Sequence, residues 1–148
     1  MATTFSVTLT GAQETPPNSS TANGTGTLTW NAAANALTYD FIVRGLNFGQ
    51  VTSMHFHSGA AGMASPIAFG QLNPAQDTDD FMTTMNADGS WTVHGVWEMT
   101  DLAASIPITN FAPVLSSATV GSPVPLYWDV HTTMFPNGEI RGQLNPTA

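Results

Sequence analysis

The sequence predicts an all-β fold, an antiparallel Greek-key sandwich or barrel of about eight strands. Three observations carry that expectation. Apolar residues recur at every second position in most segments, the period at which strand side chains alternate between faces. Clusters of Gly, Pro, Asn and Ser break the alternation at short intervals. Only residues 101–115 depart from it, as an apolar run that Pro107 and Pro113 restrict to short helical turns. At 148 residues, a single domain over 1–148 is the natural unit.

Each element follows from its residues. Phe5, Val7 and Leu9 share one face of a first strand. Leu28 and Trp30 close a threonine-rich strand over 24–30, and 31–35 reads as a turn. Over 36–44, Leu37, Tyr39, Phe41 and Val43 oppose Thr38, Asp40 and Arg44. Residues 51–57 form a fourth strand and 66–70 a short fifth. Over 90–99, Trp91, Val93, Trp97 and Met99 face one way, and Thr92, His94, Val96 and Glu98 the other. Thr100 or Asp101 is then the expected N-cap of a helical turn. Over 126–132, Leu126, Trp128 and Val130 point inward, and Tyr127, Asp129 and His131 outward. Over 139–144, Ile140 and Leu144 oppose Glu139, Arg141 and Gln143. Residues 11–23, 58–65 and 116–125 are long for hairpin links, and such loops often carry binding residues.

Charge and composition exclude several functions. Ten carboxylates stand against Arg44 and Arg141, lysine is absent, and the net charge is −8. Such a chain repels nucleic acid and anionic membranes. No apolar stretch reaches the roughly 20 residues of a membrane helix. With no cysteine, disulfides and thiolate ligands are ruled out. Charged residues make up 8% of the chain, and Thr, Ser, Asn and Gly replace them, which suggests an extracellular or periplasmic setting. The first residues lack a leader pattern, so a secreted form implies a signal peptide already removed. Asn18-Ser19-Ser20 and Asn23-Gly24-Thr25 fit the N-glycosylation pattern, a match expected by chance at this composition. No serine sits in a nucleophile elbow, and no glycine-rich phosphate loop follows a strand. Nothing specifies the oligomeric state, and a dimer stays open.

His55-Phe56-His57 carries the chemistry. In an extended strand the two imidazoles project side by side. His131, from a distant strand, is the candidate third ligand, and His94 a possible fourth. Imidazole suits copper, zinc, iron and nickel, and the Irving–Williams order favours copper, with zinc second. Asp129 and Glu139 are candidates to hold a ligand imidazole from outside. Met134 is a candidate weak axial thioether, although the methionines read mainly as core filler. Tyr127 shares the face of His131. Arg141 is either an anion guide to an open metal or an ion-pair partner of Glu139 or Asp129. The alternative throughout is histidines that only pack.

An ordered set of segments resembles the CHRD domain family. These are Leu9-Thr10-Gly11-Ala12-Gln13-Glu14-Thr15-Pro16-Pro17, Met54-His55-Phe56-His57-Ser58-Gly59, Gly89-Ser90-Trp91, Leu126-Tyr127-Trp128-Asp129-Val130-His131-Thr132-Thr133 and Phe135-Pro136-Asn137-Gly138-Glu139-Ile140-Arg141-Gly142-Gln143-Leu144. The resemblance implies a secreted β-sandwich module without an assigned activity. Its His-Thr pair matches His131-Thr132. Phe56 stands where the family usually has an aliphatic residue. Glu14 falls on a family position and reads as a structural carboxylate, capping backbone N–H groups or pairing with Arg141. The histidine pattern also resembles the copper ligands of copper/zinc superoxide dismutases, without their zinc loop and disulfide. Three functions follow as expectations: a metal-binding module, a mononuclear copper oxidoreductase, or a metal-free adhesion module contacting an extracellular protein.

Overall fold

The computed structural model describes residues 2–148. Nine strands are present among the described residues: β1 Thr4–Thr10, β2 Asn23–Asn31, β3 Ala36–Arg44, β4 Val51–Ser58, β5 Ile67–Leu72, β6 Met82–Met85, β7 Trp91–Trp97, β8 Val124–Thr132 and β9 Ile140–Pro146. They form one antiparallel sheet in the order β5-β4-β8-β9-β1-β2-β3-β7-β6. The all-β expectation holds, with one strand more than anticipated. The extra strand, β6, is Met-Thr-Thr-Met, exposed at every position and paired to β7 alone. Backbone pairing at a sheet edge creates it, so no burial pattern announces it.

The sheet curls until its two halves face each other. Phe41 of β3 stacks on Trp128 of β8, ring centroids 3.9 Å apart and 5° from parallel. Trp97 of β7 lies 5.0 Å from Phe69 of β5 and 5.5 Å from Phe56 of β4. These partners sit several strands apart in the sheet, so their contacts cross its interior. Trp128 Nε1 donates to Gln71 Oε1 at 2.9 Å, which satisfies the one polar atom of the buried indole.

Burial separates two kinds of strand. β2 alternates exposed and buried along its whole length, a solvated outer face over an apolar inner one. β4, β8 and β9 are buried on both faces. Loops cover their outer face. Asn18 Nδ2 donates to the carbonyls of Gly138 and Glu139, and Gln143 Nε2 to those of Gly59 and Val124. His55 and His57 of β4 and His131 of β8 lie on this roofed face.

Between β7 and β8, a 3-10 turn over Ile108–Asn110 leads into a short helix, α1 Ala112–Ser116. Ile108, Phe111 and Leu115 join the core. The expected N-cap is corrected. Asp101 Oδ2 accepts the N–H of Glu98 in the turn after β7, and the 3-10 turn starts at Pro107 without a side-chain cap. The methionines are corrected too: Met54 is in the core, but Met63, Met82, Met85, Met99 and Met134 are exposed. Met99 misses the inner face because β7 ends at Trp97. No helix among the described residues is long and apolar enough to cross a membrane.

Candidate metal centre

Register brings the site together. Across the β4–β8 ladder, Ser53 opposes His131, His55 opposes Asp129, and His57 opposes Tyr127. Directly opposed residues share a face of the sheet. One donor atom from each of His55, His57, Asp129 and His131 lies within 4.8 Å of the others. His55 Nδ1 is 3.0 Å from His57 Nε2, and His57 Nε2 is 2.9 Å from Asp129 Oδ1. His131 Nε2 is 3.1 Å from Asp129 Oδ2.

The outward ring nitrogens are all engaged by backbone carbonyls. His55 Nε2 donates to Asn73 at 3.2 Å, His57 Nδ1 to Ser65 at 2.8 Å, and His131 Nδ1 to Pro136 at 2.9 Å. Asn73 offers its carbonyl from a left-handed turn (φ 47°), a conformation that Asn tolerates. A carbonyl only accepts, so each outward nitrogen carries the hydrogen. A neutral imidazole so fixed turns a bare lone pair inward. With their inward nitrogens deprotonated, the three rings can offer three lone pairs beside the Asp129 carboxylate.

Around them the packing is layered. The ring of Tyr127 lies 4.7 Å from that of His57 and 5° from parallel, and its hydroxyl accepts the N–H of Ser65. The Arg141 guanidinium carbon sits over the Tyr127 ring, 3.3 Å from its centroid. Arg141, 2% exposed, donates to the carbonyls of Met63 and Ala60. It clasps the 58–65 loop. Neither ion pair expected for it, with Glu139 or Asp129, forms.

Other expectations also change. Asp129 sits among the imidazoles, with its oxygens toward their nitrogens. Both oxygens of Glu139 accept elsewhere, from Ser20 Oγ and Thr132 Oγ1, so it does not orient a ligand ring. His94 is outside the cluster. It lies opposite Asp40 on β3 and bonds it at 2.6 Å. Met134 is 72% exposed and lines a separate hollow with Pro16, Pro17 and Phe135.

A cleft of about 440 Å³ opens beside the centre, lined by Glu14, Thr15, His57, Tyr127, Asp129 and His131 among others. Glu14 is 2% exposed, and its Oε1 accepts no hydrogen bond among the described residues. No ion pair joins it to Arg141. Gly138 (φ 114°) packs against its carboxylate, leaving no room for a Cβ. Gly138→Ala therefore meets both a strained backbone and a collision. It is expected to destabilise by about 1–3 kcal/mol in urea unfolding, and a neutral result would contradict this packing.

Charge is coupled across the site. Burial opposes a charge on His131, but the hydrogen bond and charge of Asp129 outweigh it and push its pKa up to about 9. Burial likewise opposes ionisation of Asp129, yet its bonds to the histidines hold it well below the usual carboxylate range. Burial, then the charge of Asp129, pushes Glu14 up to about 8. The consequence has a definite sign. The contribution of His131 is complete below about pH 6.5 and disappears as pH rises through about 9. Glu14 acts in the same direction, because ionising it between about 4.5 and 8 costs stability. The thermal midpoint of metal-stripped protein is expected to fall from about pH 6 to about pH 9. A flat profile over that range would count against the coupling.

Comparison with curated proteins and with solved structures yields no match. The family model of the CHRD domain matches residues 5–144, and the chain therefore belongs to the CHRD domain family.

Proposed function

We propose that this domain holds one first-row transition-metal ion through His55, His57, Asp129 and His131, copper first and zinc second. One observation carries the reading. His55 Nδ1 and His57 Nε2 lie 3.0 Å apart although both outward nitrogens face carbonyls. Two neutral imidazoles in those tautomers would oppose lone pair to lone pair. A cation between them removes the conflict, and so would an added proton. Donors bound to an ion at about 2.0–2.2 Å lie about 3–4 Å from one another, close to the spacings here. Nitrogen and carboxylate donors suit copper and zinc, and copper binds the tighter of the two. The charge-poor, lysine-free composition supports a setting outside the cytoplasm.

The test is a titration of metal-stripped protein with Cu(II) and Zn(II). One equivalent is expected to bind tightly, with proton release and with affinity falling as pH drops. No binding, or binding indifferent to the His55→Ala/His57→Ala change, would favour a metal-free interaction module. The cleft beside the centre gives a small molecule a route to the ion, which favours a second reading, a copper oxidoreductase. Superoxide turnover by the copper form would establish it, and a redox-inert centre would leave a binding module.

A further inference from the structure

Half of the chain's ten carboxylates gather away from the histidines: Asp77, Asp79, Asp80, Glu98 and Asp101. The three from 77–80 lie in the loop between β5 and β6, and the other two follow β7. One oxygen each from Asp77, Asp79 and Asp101 lies within 4.8 Å of the others, and the same holds for Asp79, Asp80 and Glu98. Asp79 belongs to both sets and joins them.

Two of these groups are deeply buried, Asp77 at 4% exposed and Asp101 at 6%. Each has one oxygen engaged. Asp77 Oδ2 accepts from the Tyr39 hydroxyl at 2.6 Å, and Asp101 Oδ2 from the Glu98 N–H at 2.8 Å. The Oδ1 atom of each accepts no hydrogen bond among the described residues. No cationic side chain answers the charge. Arg44 pairs with Asp88, Arg141 donates to the 58–65 loop, and His94 bonds Asp40. Burying an ionised carboxylate without a partner is costly.

We propose that these two loops form a calcium site, ligated by Asp77, Asp79 and Asp101 and flanked by Asp80 and Glu98. All donors are oxygens, which selects a hard cation over copper or zinc. Loop carboxylates also suit the flexible coordination of calcium better than the strict octahedron of magnesium. The ion would tie the β5–β6 loop to the turn after β7. Its partner oxygens would include the two that the protein leaves unmatched.

The test titrates metal-stripped full-length protein with CaCl2 by calorimetry and follows the thermal midpoint. One ion is expected to bind with a Kd at or below about 1 mM, the range of extracellular modules. The midpoint is expected to rise by several degrees at about ten times that Kd. Asp79→Asn, at an exposed position, is expected to weaken binding at least about tenfold without unfolding the protein. The His55→Ala/His57→Ala protein is expected to keep the full response, which separates this site from the histidine centre. Three results would each overturn the proposal. The first is no calcium heat up to about 10 mM, beyond the weakest such modules. The second is an Asp79→Asn protein that binds like wild type. The third is an equal rise in MgCl2 or NaCl at matched ionic strength, which would report screening of repulsion instead of coordination.

Discussion

His57→Ala is expected to weaken Cu(II) and Zn(II) binding by more than about 100-fold, since losing only an outer partner of a ligand costs about 10–100-fold. His57 holds the central place. Its Nε2 is 3.0 Å from His55 Nδ1 and 2.9 Å from Asp129 Oδ1, so its loss opens the cluster from the middle. The ring also packs on Tyr127, so circular dichroism and the thermal midpoint must accompany the titration. His94→Ala is the control. Its ring bonds Asp40 on the β3–β7 ladder, and its removal is expected to leave metal affinity unchanged. A His57→Ala protein that binds as tightly as wild type, while His94→Ala does not, would relocate the site.

Trp128→Ala is expected to destabilise the fold by about 3–5 kcal/mol in urea unfolding. The indole is fully buried and stacked on Phe41, and this contact joins the two halves of the curled sheet. The change also takes the donor away from Gln71 Oε1, leaving a buried acceptor unsatisfied. Trp128 lies between Tyr127 and Asp129 on β8, so the loss is expected to loosen the cluster of His55, His57, Asp129 and His131 as well. A loss under about 1 kcal/mol would mean that the halves are held by other contacts.

Much of this arrangement was legible in the residues. Alternation located the strands and put Tyr127, Asp129 and His131 on one face. The H-x-H spacing placed His55 and His57 together. Parity alone could not say what those faces look toward. His94 is a possible fourth ligand by residue type, yet β7 lies five strands away from β8 in the sheet order and pairs it with Asp40. Asp129 was visible as a neighbour of His131, but its place among the imidazoles depends on the β4–β8 register. The carbonyls of Asn73, Ser65 and Pro136 left no side-chain signal, because loop backbone supplies them. By residue type, Glu139 is a candidate support for a ligand ring, and Arg141 an anion guide or an ion-pair partner. Long-range hydrogen bonds join them to Ser20, Met63 and Ala60, contacts to the loops that no periodicity announces.

The most direct measurement is anomalous scattering at the copper and zinc absorption edges, from crystals of protein purified without added metal. One strong peak is expected about 2.0–2.2 Å from His55 Nδ1, His57 Nε2, His131 Nε2 and an Asp129 oxygen. The absence of any peak there at either edge, with the two β4 imidazoles still in contact, would contradict it.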